Sequence, residues 1–137
     1  MDYRPPRNIP QFVASGSQRL EQLARFVESL PAGKLTFSRW YGHGRGCAVG
    51  LAAAGHPWFL AQGLRLDGGD SLKDCRPVYG TASDWKAVAA FFDLSPGEAR
   101  QLFDREGYGG RIRPTPQEVA GKIRGYLANS KAEVVSA

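Results

Sequence analysis

Apolar residues recur at three- and four-residue steps between Ser17 and Leu30, the spacing of one face of an α-helix. Polar residues, Arg19 among them, fall mostly on the opposite face. Ser17 is a suitable N-cap because its hydroxyl can accept a backbone N–H of the first turn, and Pro31 ends the helix. The pattern predicts an amphipathic helix over 17–30. Its buried face consists of Leu20, Leu23, Ala24, Val27 and Leu30.

Small apolar residues over 47–54 predict a second helix, one that neighbouring segments can approach closely. A new helical start follows at His56, with Pro57 at the first helical position, where the missing N–H costs nothing. Residues 35–37 suit a short extended segment. The stretch 64–80 has turn residues and little periodicity, which predicts a long loop with room for a small β-hairpin.

Three later helix starts share a hydroxyl residue followed, three positions on, by an acidic residue. In this arrangement the two side chains satisfy backbone donors of the first turn. The second and third starts also carry proline at the first helical position. The pairs are Thr81 with Asp84, Ser95 with Glu98, and Thr115 with Glu118. The three helices predict core faces made of Trp85, Val88, Ala89 and Phe92; Ala99, Leu102 and Phe103; and Val119, Ala120, Ile123 and Leu127.

These patterns predict a mainly α fold, a compact single-domain bundle of about five to six short helices with a small β-hairpin as an optional addition in 64–80. The chain has 137 residues, 42% of them hydrophobic, which is enough for one core but not for two independent ones. We expect one helical domain over 17–128, a flexible arm over 1–16 and a flexible tail over 129–137.

The charge balance narrows the classes of partner. The formal net charge is +5, and 13 of the 18 basic residues are arginines. Such a chain can contact nucleic acid or an acidic protein surface, and it is not an acidic mimic of DNA. The first ten residues lack the apolar run of a signal peptide, and no stretch approaches the roughly 18 apolar residues of a membrane span. We expect a cytoplasmic protein in which Cys47 and Cys75 are buried or free thiols and form no disulfide.

The stretch RWYGHGRGCAVG, residues 39–50, admits a catalytic interpretation and a metal-binding one. Cys47 at a helix start, near Arg45, is placed where a thiolate is favoured, with His43 as a base. The two histidines and two cysteines, His43, Cys47, His56 and Cys75, are also a conceivable zinc set. Their spacing matches no compact finger and contains no CxxC pair, so we predict no metal and no cofactor.

The same stretch also suits an anion cradle or a purely structural turn. Gly42, Gly44 and Gly46 with Arg45 precede a helix, but the lysine and hydroxyl of a nucleotide P-loop are missing. We favour the structural interpretation. It is a glycine turn that delivers a buried Cys47 helix to the core, covered by Trp40 and Tyr41, while His43 and Arg45 stay exposed for contact.

Several segments resemble a group of small bacterial and phage proteins that share Cys-Ala-x-Gly, Phe-Phe-x-Leu-Ser and Thr-Pro-x-Glu-Val segments. The resemblance covers roughly residues 17–128 and implies an α-rich fold and a mobile-element setting in a bacterial host, with no activity to carry over. The GHGRG lead-in at 42–46 departs from the pattern of the group. The matching segments are Gly46-Cys47-Ala48-Val49-Gly50-Leu51-Ala52, Ala90-Phe91-Phe92-Asp93-Leu94-Ser95, Glu98-Ala99, Leu102-Phe103 and Thr115-Pro116-Gln117-Glu118-Val119-Ala120.

We expect a non-enzymatic macromolecular interaction module, such as a phage or mobile-element inhibitor or accessory protein that binds a host protein complex. Arginine, tyrosine and tryptophan often anchor interfaces, and two glycine-rich loops, residues 39–50 and 105–114, carry them here. The partner is expected to be a protein or a protein–nucleic acid complex, without a membrane. The predicted contact residues are Arg39, Trp40, Tyr41, His43, Arg45, Arg105, Tyr108, Arg111 and Arg113.

Two alternatives stay open. Helix-turn-helix spacing across 88–102 suits a DNA-binding regulator, whose reading helix would use Arg100, Gln101 and Arg105. A small enzyme would use His43 with Cys47, or the acidic residues Asp67, Asp70 and Asp74. We assign no catalytic residue, because no acid–base pair follows from the spacing.

Overall fold

In the computed structural model of this chain, the described residues are 13–31, 33–42, 44–68 and 75–136, those of 130–136 as backbone only. The helices are α1 (Gly16–Glu28), α2 (Ala48–Gly55), α3 (Pro57–Ala61), α4 (Asp84–Phe92), α5 (Pro96–Phe103) and α6 (Pro116–Ser136), with a 3₁₀ turn at Arg105–Tyr108. The strands are β1 (Tyr41–Gly42), β2 (Arg45–Gly46), β3 (Arg65–Asp67), β4 (Arg76–Tyr79) and β5 (Ala82–Ser83).

Helix α1 packs against α6 across the main core. Its N-cap is Ser15, not Ser17 as the sequence predicted, because Gln18 completes a capping box with Ser15. The apolar face predicted for α1 is buried, except that Leu30 is half-buried. At the rim of the interface, Arg124 of α6 donates to both carboxylate oxygens of Glu28, at 2.6 and 2.7 Å.

Arg19, expected on the solvent face of α1, is only 4% exposed. Its guanidinium donates to the Phe91 carbonyl oxygen at 2.8 Å and to Gln62 Oε1 at 3.1 Å, and it lies 4.2 Å from the centre of the Phe91 ring. The prediction was wrong because the helical period of α1 does not show that other segments place hydrogen-bond acceptors beside Arg19. These acceptors are the Phe91 carbonyl of α4 and the Gln62 side chain that follows α3. The burial is tolerated because the charge meets hydrogen-bond acceptors and an aromatic face.

The stretch 64–80 contains the predicted hairpin, in which β3 and β4 pair antiparallel with Arg65 opposite Val78. β5 extends this sheet and runs directly into α4. The predicted Thr81 cap is therefore wrong: the chain stays extended through Ser83, which is the N-cap but makes no side-chain cap bond.

The other two capping boxes are confirmed. Ser95 Oγ accepts the Glu98 N–H at 3.1 Å, and Glu98 Oε1 accepts the Ser95 N–H at 2.9 Å. Thr115 and Glu118 make the same reciprocal pair at 3.1 and 3.0 Å. Both α5 and α6 begin on proline, as expected.

The mainly α fold with small antiparallel sheets confirms the predicted fold class. The backbone of α6 is helical as far as Ser136, past Asn129, where we expected the tail to begin. Residues 1–12 of the expected arm lie outside the described residues. Over the described ranges, no helix is both long and apolar enough to cross a bilayer.

Candidate anion-binding pocket

The glycine stretch folds as a small hairpin followed by a helix. β1 and β2 pair antiparallel, Tyr41 opposite Gly46 and Gly42 opposite Arg45, and Gly44 closes the turn with a φ of 72°. Cys47 then caps α2, its sulfur accepting the Gly50 N–H at 3.4 Å. This agrees with the glycine turn and buried Cys47 helix that we favoured.

The hairpin is held tightly against α2 by the backbone of Trp40. The Cys47 N–H donates to the Trp40 carbonyl oxygen at 3.2 Å. A Cβ at Gly46 or Gly50 would overlap this carbonyl, lying 3.0 and 2.6 Å from its carbon. The two glycines are therefore required by close approach and fix the position of Arg45 relative to Arg39.

The extended segment 35–37 joins the two glycine-rich loops. On one side, the Thr36 N–H donates to the Gly46 carbonyl at 2.9 Å, and Leu35 and Gly46 form a parallel bridge. On the other side, the Phe37 N–H donates to the Ile112 carbonyl at 2.6 Å. Loops that are about seventy positions apart in sequence are thus brought to one place.

The result is a polar pocket with a volume of about 240 Å³, here named the arginine pocket. It collects three of the arginines predicted as contact residues, one from the approach to the hairpin, one from β2 and one from the loop before α6. Among the described residues, no carboxylate side chain lines it. The lining residues are Gly33, Thr36, Ser38, Arg39, Gly42, Arg45 and Arg113.

These three arginines differ from most others in having no carboxylate partner among the described residues. Five arginines take part in ion pairs there, namely Arg25, Arg76, Arg100, Arg111 and Arg124. The side chains of Arg39, Arg45 and Arg113 are exposed at the pocket instead. A guanidinium group without a carboxylate partner inside the protein can bind an anionic group of a ligand through two parallel hydrogen bonds.

Two hydroxyl groups extend the polar wall. Thr36 Oγ1 and Ser38 Oγ lie 2.9 Å apart, and the Ser38 N–H points to Thr36 Oγ1 at 3.3 Å. Neither residue is among the contact residues that the sequence predicts. Their signal is their place at alternate positions of an extended segment, which sets both side chains on one side of it, with Thr36 buried and Ser38 exposed.

The other described residues that the sequence predicts as contacts do not line the pocket. Trp40 is half-buried against Trp85, with ring centres 4.8 Å apart, and Tyr41 is also half-buried. Arg111 is ion-paired with Glu118, and that guanidinium lowers the pKa of Glu118 to about 2. Arg105 is exposed. His43 lies outside the described residues.

Tyr108 is buried, contrary to the expectation of an exposed contact residue. Its hydroxyl donates to the Leu102 carbonyl at 2.8 Å, its ring packs on Phe37 at 5.2 Å, and Lys122 lies over its face at 4.5 Å. Burial raises the pKa of Tyr108 well above its usual range. The residue supports the segment beneath the pocket and does not face solvent.

Cys47 does not have the environment of a nucleophile. The side chain is 3% exposed, and burial raises the pKa of its thiol to about 11 although backbone N–H groups partly oppose this. The dipole of α2 and Arg45 therefore do not produce a thiolate near neutral pH. Within the described part of the chain, no group of three or more His, Cys, Asp or Glu side chains is placed to hold a metal ion.

The residues of the DNA-binding alternative are partly engaged within the chain. Arg100 pairs with Glu106 at 3.7 Å and lies 5.7 Å from the centre of the Trp85 ring. Gln101 lines a separate groove of about 720 Å³ between α5 and α6. Neither side chain belongs to the arginine pocket.

Comparison of the chain with protein-family models, curated proteins and solved structures gives no match. The chemistry of the pocket is therefore the basis for the function. Three guanidinium groups with no carboxylate partner among the described residues, two hydroxyls and the backbone hydrogen bonds of residues 35–37 make this pocket a candidate site for an anionic group.

Proposed function

We propose that this chain is a non-enzymatic interaction module that docks on a partner protein by taking an acidic group of that partner into the arginine pocket. The observation that carries this proposal is the convergence of Arg39, Arg45 and Arg113 on one polar cavity whose described lining residues include no carboxylate. A binding role is favoured because Cys47, the nucleophile that the sequence suggests beside the pocket, is a buried thiol with a raised pKa.

The charge distribution supports an external partner. Grouping three like charges raises the free energy of the isolated protein, so an internal carboxylate nearby would be the stabilising solution. The chain supplies such carboxylates to five other arginines. Arginines are also favoured over lysines at interfaces, because the planar fork binds carboxylates and phosphates in a bidentate manner.

We take the biological setting to be a phage or other mobile element in a bacterial host, where the module inhibits or assists a host protein complex by occupying its surface. The resemblance of the Cys-Ala-x-Gly and Thr-Pro-x-Glu-Val segments supports this setting. The site of action would be the bacterial cytoplasm.

The test is capture of a partner from lysate of the native host by the tagged full chain. The double variant Arg39→Glu with Arg113→Glu should lose the captured protein, because carboxylates in the pocket repel an acidic group. Arg65→Glu is the matched control, since Arg65 is an exposed arginine on β3 outside the pocket. A partner retained by the double variant, or no partner for the wild type, would contradict the proposal.

DNA binding through α4 and α5 is the second candidate. The observation in its favour is the tight junction between the two helices, where Asp93 adopts a left-handed conformation with φ 55° and ψ 51°. A shift of duplex DNA that weakens with salt and disappears in Arg100→Ala with Arg105→Ala would support it. Absence of a shift at low salt would exclude it.

A further inference from the structure

We propose that the anionic group held by the arginine pocket is the dianionic phosphoryl group of a phosphorylated side chain of the partner protein. This inference rests on the proposed role as an interaction module, and it names the chemical group through which the partner is held.

The charge of the pocket exceeds what a single carboxylate neutralises. Three guanidinium groups line it. A carboxylate brings one negative charge and two oxygens. A phosphate monoester brings about 1.5 to 2 negative charges at neutral pH and three acceptor oxygens, which matches several arginine forks at once.

The hydroxyl pair adds a neutral donor for the same group. Thr36 and Ser38 each have one hydroxyl proton, and the hydrogen bond between them uses one of the two. Among the described residues, no group accepts the other proton, and both side chains line the pocket. A phosphoryl oxygen placed between these hydroxyls and the arginines would supply that acceptor.

The shape and lining of the pocket favour a phosphorylated side chain over a nucleotide or a nucleic acid strand. Bases of bound nucleotides are commonly held by aromatic stacking, but none of the described residues that line this pocket is aromatic, and Trp40 is already packed on Trp85. Strand backbones present singly charged diesters at regular intervals, which suits an extended basic groove. Here the arginines converge on one cavity of about 240 Å³.

The first test titrates the ¹⁵N-labelled full chain with phenyl phosphate at pH 7.5 and follows the amide signals of Gly33 and Gly42. Saturable shifts are expected. Arg39→Gln and Arg113→Gln should each weaken binding about 10-fold or more, the range for losing a charge-assisted hydrogen bond. Arg65→Gln should leave the affinity unchanged. Binding should weaken from pH 7.5 to pH 5, because the second pKa of the phosphate is about 6.

Two related probes make the test decisive. Benzoate binding as tightly as phenyl phosphate would overturn the proposal in favour of a carboxylate site, and equal binding of dimethyl phosphate would overturn it in favour of a diester backbone. Arg39→Lys keeps the charge and removes the fork, so it should still weaken phenyl phosphate binding. No saturable shift of the wild type would also overturn the proposal.

A second test separates this inference from the proposed function. Lysate is treated with a broad-specificity phosphatase before the capture experiment. Loss of the captured partner after this treatment supports a phosphorylated side chain. A partner that is still captured overturns this inference and leaves the interaction role intact. If neither lysate yields a partner, the proposed function fails, and the phenyl phosphate titration alone decides which anion the pocket takes.

Discussion

The carbonyl group of Trp40 occupies the space beside Gly50 where any other residue would place its Cβ. The same carbonyl accepts the Cys47 N–H at 3.2 Å, so its position is set by the first turn of α2. One peptide group thus connects the hairpin that carries Arg45 to a buried helix. The glycine at position 50 is a condition for the pocket and not a sign of a mobile loop.

We expect Gly50→Ala to lower the free energy of unfolding by about 2–3 kcal/mol or more, because the new methyl group overlaps backbone that cannot move aside without breaking the cap. Urea unfolding followed by tryptophan fluorescence measures this. Gly121→Ala is the matched control, since a Cβ there has no neighbour within 4 Å, and it should stabilise the helix by roughly 0.5–1 kcal/mol. Equal effects of the two variants would contradict the prediction.

Arg19→Ala should be strongly destabilising although the residue is charged. The change removes a buried guanidinium from the Phe91 carbonyl and Gln62 and leaves a cavity beside the Phe91 ring. We expect a loss of about 2–4 kcal/mol in unfolding free energy. Arg25→Ala, which removes an exposed pair with Glu21, should cost about 0.5 kcal/mol or less. A small effect at position 19 would show that water replaces the guanidinium.

His56 should make the fold sensitive to mild acid. Its Nδ1 accepts the Trp58 N–H at 3.2 Å, its ring lies between Phe26 and Phe59, and burial lowers its pKa from the ordinary 6.5. A histidine with a lowered folded pKa contributes stability that is present above its unfolded pKa and is lost as the pH falls through the folded value.

The variant His56→Asn separates this contribution, since asparagine caps the helix and does not titrate. At pH 7.5 the wild type should be the more stable protein because of its ring contacts. The gap in unfolding free energy should narrow as the pH falls below about 6.5, measured by urea titrations at successive pH values. Parallel stability curves for the two proteins would refute the assignment.

Cys47 should be protected from alkylation in the native protein. In a Cys75→Ser background, iodoacetamide at pH 8.5 should modify Cys47 at least about 100-fold more slowly than in the unfolded chain, because reaction requires opening of the core and a thiolate. Mass spectrometry after timed quenching gives the two rates. Rapid alkylation of Cys47 in the native protein would contradict this prediction and support a reactive thiolate at the start of α2.

The local features of the fold could be predicted from the sequence because they depend on neighbouring residues. The boxes at Ser95 and Thr115 involve residues three positions apart, and the buried face of α6 follows the helical period. The failure at Thr81 has a non-local cause: pairing of β5 with β4 keeps the chain extended for two further residues. Arg19 fails for the same reason, since its acceptors come from other elements.

The sequence predicts individual residues of the site but not that they form one pocket. Arg39, Arg45 and Arg113 are predicted contact residues in two separate loops, and nothing near them in sequence indicates that they meet. Their meeting depends on two hydrogen bonds, from Thr36 to Gly46 and from Phe37 to Ile112. Such long-range backbone pairing leaves no periodic pattern, so the hydroxyls of the linking segment were overlooked as well.

The backbone hydrogen bonds of residues 35–37 hold the two loops together, so the pocket exists only in the folded chain. When the chain unfolds, the arginines separate and no longer act together, so an occupant of the pocket binds the native state in preference. At a concentration 100 times its dissociation constant, such an occupant adds about 2.7 kcal/mol to the unfolding free energy. Thermal melts in the presence of candidate anions would therefore rank ligands for this protein before any partner is purified.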